Sequence, residues 1–267
     1  MRPVAIPLYL KKLSGYSREE MITLINDNNK KIRKGAPDVS VVIPAYNEEE
    51  NILIALLSVC QNNTRFSVEI IVVNNNSKDR TEELVRASGV ICINETTPGV
   101  TAARNAGLAV AKGRYILNAD SDSIYPPDWI ELMISPLDKN NDIAISYGRF
   151  SFIPSGSTAR FTYFLYENVA DILRWSRKKF KEEAIYVYGC SSGFRREQCL
   201  AVNGYEHPPG TNEDGWLAVK LREKGFGRLN YVNDPRAMVW TVDRHLQKDG
   251  GLLKALIIRV KRAFTGK

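Results

Sequence analysis

Two carboxylates one residue apart, in Asn118-Ala119-Asp120-Ser121-Asp122, follow a short apolar run and precede the rigid turn Tyr125-Pro126-Pro127. Oxygen ligands of this kind suit magnesium or manganese, and such a pair can share work between a divalent cation and sugar hydroxyls. Alone, a D-x-D segment is a weak signal, more often a solvated loop closed by an Asx-turn; its position at the end of a strand raises it. A second acidic pair, Glu213-Asp214, stands where a helix should begin, a place acids also occupy to complement the helix dipole. Gly99-Val-Thr-Ala-Ala-Arg104-Asn105-Ala-Gly107 combines small residues that let a helix lie close on a sheet with an arginine, whose planar donor fork fits phosphate or a base edge. No G-x-G-x-x-G follows the first apolar run and no G-x-x-x-x-G-K-[ST] occurs, so dinucleotide-oxidoreductase and P-loop chemistries lose their main support.

The elements around these residues alternate. Val39 to Ile43 is a β-branched run stopped by Pro44, and a helix is expected from Glu48 to Cys60. Glu69 to Val73 is a second buried-type strand, Asn74 to Asp79 a polar loop, and Thr81 the expected cap of a helix with Glu82 and Glu83 in its first turn. Val90 to Ile93, a helix from Val100 to Ala111 and a strand from Tyr115 to Leu117 continue the series. Such alternation predicts an α/β fold, a mostly parallel sheet with helices on both faces and ligands at the carboxyl ends of the strands. Every polar cluster named above falls at such an end. Farther on, Phe164, Leu165, Val169, Ile172 and Leu173 recur at helical spacing, a stripe expected to pack in the core. A strand near Ile185 to Tyr188, a short helix near Arg195 to Leu200, a helix from Glu213 to Lys224 and strands near Phe226 to Tyr231 and Ala237 to Trp240 complete the expectation.

Composition narrows the class. With 267 residues, 44% hydrophobic and 25% charged, the chain is an ordinary globular sequence, which excludes disorder as its main state. Its net charge of +7 favours an anionic partner, but the cations are spread along the chain without a recognisable nucleic-acid-reading motif. Cys60, Cys92, Cys190 and Cys199 form no Cys-x-x-Cys pair and only His207 and His245 accompany them, so a zinc site or disulfide framework is not expected, and a reduced, cytoplasmic protein is. No apolar stretch approaches the ~18 consecutive residues of a spanning helix, and Pro3 and Pro7 with a trailing Lys11-Lys12 argue against a signal peptide.

In order and spacing, Val39-Ser-Val-Val-Ile-Pro44-Ala-Tyr46-Asn47-Glu48-Glu49, Ile70-Ile-Val-Val-Asn74-Asn-Asn-Ser77-Lys-Asp79, Arg104-Asn105-Ala-Gly107, Asp120-Ser-Asp122 and Glu213-Asp214 closely resemble the family 2 glycosyltransferases with a GT-A fold. The resemblance runs from Val39 to Arg244. It implies a Rossmann-like single domain over 38–246, whose 38–150 half binds a nucleotide sugar and whose 151–246 half takes the acceptor. Residues 1–37 precede it as an extension, and 247–267 follow as a basic amphipathic helix. It further implies that Pro44, Ala45, Tyr46 and Glu48 surround base and ribose, that the loop holding Asn75 reads the base edge, and that Arg104 contacts the nucleotide. Asp120 would meet the ribose or the metal, and Asp122 the Mn²⁺ or Mg²⁺ that bridges the two phosphates. Asp214 matches the family's catalytic base, with Glu213 beside it. Gly189 to Gly193 and Arg195-Arg196 resemble the loop near the transferred sugar, and Thr241-x-Asp243-Arg244 a segment that closes over the diphosphate.

The implied activity is metal-dependent, inverting transfer of a sugar from a nucleoside diphosphate to a hydroxyl acceptor, a glycan, lipid or lipid-linked glycan. Where many members carry Asp-Asp, this chain has Asn74-Asn75-Asn76. An amide still pairs with uracil, its oxygen accepting from N3–H and its nitrogen donating to O4, so a uridine donor is favoured with guanosine and thymidine left open. His245 is a candidate further metal ligand. The tail from Leu252 to Phe264 reads as a helix that either docks on the domain or lies on the inner face of an acidic membrane. A sugar nucleotidyltransferase and a non-catalytic nucleotide-sugar-binding subunit are the competing readings; the first normally carries a glycine-rich, lysine-bearing loop where this chain has Pro44-Ala-Tyr-Asn-Glu.

Overall fold

The computed structural model of the chain describes residues 2–154, 158–178 and 183–243. Helices α1 (Leu8–Leu13) and α2 (Arg18–Ile32) come first. There follow β1 (Val39–Ala45), α3 (Ile52–Cys60), β2 (Val68–Asn74), α4 (Thr81–Ala87), β3 (Ile91–Asn94), α5 (Val100–Val110) and β4 (Tyr115–Asn118). The next elements are β5 (Ser123–Ile124), α6 (Trp129–Lys139), β6 (Ile143–Tyr147), β7 (Phe150–Phe152) and α7 (Arg160–Lys178). The last are β8 (Ser192–Arg195), α8 (Arg196–Leu200), α9 (Glu213–Glu223), β9 (Arg228–Tyr231) and β10 (Val239–Thr241).

The main sheet runs β3-β2-β1-β4-β8-β6-β9, with β8 alone antiparallel to its neighbours, and β5-β10-β7 form a small second sheet. Side chains along each central strand alternate between two cores. Val41, Ile43, Ile70, Val72 and Leu117 point into one with α3 and α6, while Val42, Ile71, Val73 and Ile116 point into the other with α5 and α9. Both faces are therefore covered, which is why these strands are continuous apolar runs. The first crossovers build outward from β1 to β3, and α5 then returns the chain to β4 on the other side of β1. This reversal between β1 and β4 is the switch point outside which α/β sheets hold their ligands.

Local departures from the expected elements have physical causes. α3 begins at Ile52 rather than Glu48, because Asn47 is left-handed (φ 53°) and the backbone N–H groups of Glu48 and Glu49 donate to Thr81 Oγ1 (2.7 Å) and Asp79 Oδ2 (3.0 Å). Thr81 is consequently the first residue inside α4, not its cap. The apolar run at 185–188 does not form a strand: Glu183–Tyr186 is a 3₁₀ turn, with Ala184, Tyr186 and Val187 filling the core beneath α9. The strand comes later, at β8, where a Cβ on Gly193 would lie 3.1 Å from Leu117 Cδ1 and 3.3 Å from Ile134 Cδ1. At this one position the slot between β4 and β6 leaves little room for a side chain.

Helix α7 is turned opposite to expectation. Leu165 and Ile172 are exposed, while Tyr163, Tyr166 and Glu167 are buried. The buried face is fixed by polar partners: Glu167 accepts from the backbone N–H of Phe152 (2.8 Å) and pairs with Arg160 (2.8 Å). Residues 2–37 lie against the domain, where Ser17 and Glu20 form a reciprocal capping box for α2 and Ile25 and Ile32 are buried. Among the described residues no helix is long and apolar enough to cross a membrane.

Candidate active site

A cleft of about 950 Å³ opens at the carboxyl ends of β1 and β4. It brings together Pro44, Ala45, Tyr46 and Glu48 after β1, Asn75 after β2, Arg104 on α5, Asp120 and Asp122 after β4, Gly189, and Glu213 with Asp214 at the start of α9. Arg244, His245 and the segment 247–267 lie outside the described residues. Ser121 and Lys78, inside the polar segments 118–122 and 74–79, also line the cleft, as does Pro98, for which the sequence carried no signal.

Arg104 is the hub. α5 follows its N-cap Gly99 (φ 122°) and lies so close to the sheet that a Cβ on Gly107 would be 2.4 Å from Val42 Cγ1. That approach carries Arg104, one turn earlier, over the strand ends, with its side chain only 2% exposed. Its Nη2 is 3.2 Å from Asp120 Oδ1, its Nε 3.6 Å from Glu213 Oε1 and its Nη1 3.6 Å from Asp214 Oδ1. Among the described residues Nε and Nη1 find no partner at hydrogen-bond distance; both atoms are buried and face the Glu213 and Asp214 carboxylates as ion pairs.

One buried cation does not neutralise this many acids. Burial pushes the Asp214 carboxyl up to about 7, Arg104 opposing the rise and the charges of Glu213 and Asp120 adding to it. Burial also drives Asp120 up, to about 6, although two-fifths of its side chain meets the open cleft; Arg104 opposes, and Asp122, Glu213 and Glu48 add to the rise. Among the described residues no three His, Cys, Asp or Glu side chains form a ready metal cage. Magnesium and manganese do not require one, since one or two carboxylates completed by substrate phosphates and water suffice. The hard oxygens of Asp120 and Asp122, in a cleft with surplus negative charge, fit such an ion.

Neutral residues set the acids in place. Tyr205 donates to Asn118 Oδ1 (2.5 Å), and Asn118 Nδ2 donates to Ser192 Oγ (3.1 Å) and toward Asp214 Oδ1 (3.5 Å). The Tyr125 hydroxyl accepts from the Asp120 backbone N–H (2.6 Å). Asn118 was expected as the first residue of the polar cluster after a strand ending at Leu117 and is instead the last residue of β4, whereas Tyr205 had no local signal.

Asn75 corrects one expectation. Its amide nitrogen donates to the carbonyls of Glu95 (2.9 Å) and Thr97 (2.7 Å), and its oxygen accepts from Gly99 N–H (2.8 Å). Both donors are committed to the rim loop, so none faces the cleft to meet uracil O4; only the oxygen retains a lone pair.

Gly189 is required by contact rather than conformation. A Cβ there would lie 1.9 Å from Arg104 Nη2 and 2.5 Å from Asp214 Oδ2. Gly189→Ala is expected to push the guanidinium and carboxylate apart, costing about 1–3 kcal/mol of stability, as overpacked sites do. Denaturant melts read the loss directly; an unchanged midpoint would show that the loop yields freely.

A family model described as glycosyl transferase family 2 matches residues 40–199. The Escherichia coli protein named UDP-Glc:alpha-D-GlcNAc-diphosphoundecaprenol beta-1,3-glucosyltransferase WfgD is 34% identical over 123 residues, 45% of this chain and 48% of that protein. The hyaluronan synthase of Pasteurella multocida is 32% identical over 242 residues, 86% of this chain and 22% of that one. Among solved structures, a mannosyltransferase from Pyrobaculum calidifontis in complex with GDP-Man and Mn²⁺ superposes with a TM-score of 0.59 at 18% identity, covering 92% of this chain and 78% of that one. Glucosyl-3-phosphoglycerate synthase from Mycobacterium tuberculosis, with Mn²⁺, UDP-glucose and phosphoglyceric acid, gives 0.56 at 22% identity, covering 93% and 84%. At these identities the structural likeness is one of fold. The chain spans about half or less of the length of the first curated relatives it matches. With its sheet order, the cleft at the β1/β4 switch point and a match over residues 40–199, the chain belongs to glycosyl transferase family 2.

Proposed function

We propose that the chain is a metal-dependent, inverting glycosyltransferase that moves a sugar from a nucleoside diphosphate, uridine favoured, to a hydroxyl of a glycan, lipid or lipid-linked glycan. The observation that carries this reading is the buried Asp214 carboxyl, raised to about 7 and 3.6 Å from Arg104, in the same cleft as Asp120 and Asp122. A general base works best when its pKa lies near the working pH. Asp214 accepts the proton of the attacking hydroxyl, and one base with one attack gives inversion at the anomeric carbon. Tyr46, 60% exposed at the mouth, and Pro44, Ala45 and Glu48 surround base and ribose, with Asn75 holding the facing rim. Arg104 keeps Asp214 and Glu213 oriented and sets a positive charge in the cleft wall beside the nucleotide. Asp120 and Asp122 would hold a divalent metal, which when bound stabilises charge developing on the leaving diphosphate.

On this reading residues 38–150 form the donor half and 151–246 the acceptor half, Gly189 borders the transferred sugar, and Arg244 closes over the diphosphate. Residues 1–37 buttress the domain, and 247–267 attach it peripherally to the cytoplasmic face of a membrane. Support comes from relatives: WfgD is named for UDP-glucose and a diphosphoundecaprenol acceptor, and the two solved neighbours hold Mn²⁺ with a nucleotide sugar.

Calorimetric titration of a UDP-sugar in the presence and absence of Mn²⁺ tests the metal residues. Asp122→Ala is expected to lose the metal-dependent part of donor affinity, at least tenfold, while folding normally. Full retention of that component would remove Asp122 from the metal site.

A further inference from the structure

The two nitrogen donors that reach the Asp214 side chain meet the same oxygen. Asn118 Nδ2 lies 3.5 Å and Arg104 Nη1 3.6 Å from Oδ1. Oδ2 instead lies toward Gly189 at the cleft, where a Cβ would come within 2.5 Å of it. Glu213 shares a hydrogen bond with Asp214 only while one of the two acids carries a proton. An asparagine amide is nearly symmetric in shape, so hydrogen-bond chemistry decides which end faces a neighbour. An ionised Asp214 only accepts and therefore requires the Asn118 nitrogen. The Asn118 oxygen must then find a donor elsewhere, and the Tyr205 hydroxyl supplies it at 2.5 Å, both residues being fully buried. Without that hydroxyl the amide either leaves its oxygen unsatisfied or turns it against the Asp214 carboxylate.

The loop that delivers Tyr205 is bracketed by the two helices that hold the base. On α9, which opens with Glu213 and Asp214, Lys220 Nζ donates to the carbonyls of Val202 (2.8 Å), Gly204 (2.7 Å) and Glu206 (2.9 Å), using all three of its donors. On α5, Asn105 follows Arg104; its Oδ1 accepts from the Tyr205 backbone N–H (2.9 Å) and its Nδ2 donates to Glu206 Oε1 (3.1 Å). Each helix thus reaches Asp214 directly and, through its next polar residue, grips the loop that reaches Asp214 through Asn118. A tyrosine that only filled the core would need neither the bracket nor the bond to Asn118.

We propose that Tyr205 is a positioning residue that, through Asn118, holds Oδ1 of Asp214 and leaves Oδ2, beside Gly189, as the oxygen that takes the proton of the attacking hydroxyl. The proton passes to Oδ2 as the hydroxyl oxygen bonds to the anomeric carbon. The bond from that carbon to the diphosphate breaks, and its electron pair leaves with the nucleoside diphosphate. This inference rests on the assignment of Asp214 as the base.

Nucleoside diphosphate release by the full chain with Mn²⁺ and water as acceptor tests it, using whichever of UDP-glucose, GDP-mannose and dTDP-glucose the wild type turns over fastest. Tyr205→Phe should lower kcat about tenfold, the worth of one positioning hydrogen bond, with the donor KM unchanged. Asn118→Ala should lower kcat at least as much. Because Tyr205 acts only through Asn118, the double variant should be no slower than Asn118→Ala. If Asn118→Ala does not fold, the split between kcat and KM in Tyr205→Phe decides alone. Wild-type kcat in Tyr205→Phe, a rise in KM that accounts for its whole defect, or a double variant slowed by the product of the two single effects overturns the inference and leaves the base assignment standing. Native turnover in Asp214→Asn, or turnover of none of the three donors by the wild type, overturns both.

Discussion

Asp214→Asn is expected to bind donor as the wild type does while turnover falls about 10²–10⁴-fold, the usual contribution of a positioned general base. Asparagine keeps the shape and can still accept from Asn118, but it cannot take a proton from the attacking hydroxyl. The wild-type rate should also depend on pH in a defined direction. Only the ionised carboxylate is a base, and burial raises this one to about 7, so kcat should fall as pH drops below about 7 and level off above it. The variant should lose this limb of the profile along with the rate. Near-native turnover in Asp214→Asn, measured as released nucleoside diphosphate, would remove Asp214 from the role. The same shift bears on folding: a carboxyl whose folded-state pKa lies above its unfolded value adds stability at low pH, which is lost as pH rises through about 7.

Arg104→Met should have the largest effect on stability. The side chain is 2% exposed, and its cation is what keeps Asp214, Asp120 and Glu213 tolerable in one desolvated cleft. Removing one partner of a buried charge cluster costs about 3–5 kcal/mol, because the remaining charges are left uncompensated. Arg104 opposes the rise of both Asp214 and Asp120, so without it both carboxyls move further up. They then take up protons more readily, and the loss should be large above neutrality and much smaller under mildly acidic conditions. Denaturant melts at the two conditions check this. A loss that did not vary with pH would mean that Arg104 acts through packing alone.

Much of this arrangement is legible in the sequence, for a reason specific to each part. β1, β2 and β4 announce themselves because both sheet faces are covered, which forces unbroken apolar runs such as Val41-Val42-Ile43 and Ile70-Ile71-Val72-Val73. The polar residues that end those runs, Asn74, Asn118 and the acids after Asn118, then mark the ligand edge. Other features depend on long-range fit. β8 fits between β4 and β6 with Gly193 closely packed beside Leu117 and Ile134, a match no local pattern encodes. α2 looks polar, since only Ile25 and Ile32 need to be fully buried. The spacing in α7 revealed a stripe but not its direction, which the ion pairs with Arg160 and Arg2 decide. Asn75 was found as a position, whereas its task of holding the carbonyls of Glu95 and Thr97 follows from two loops meeting in space.

The proposed function requires the cleft between β1 and β4 to be a metal-dependent nucleotide-sugar site. Calorimetric titration of the full chain with UDP, GDP and dTDP, each with Mn²⁺ and each with chelator, tests it most directly. One of the three should bind with a single site in the presence of Mn²⁺, UDP being the favoured one, and binding should weaken at least tenfold on chelation. Absence of binding by all three with Mn²⁺, or binding that chelation leaves unchanged, would contradict the account.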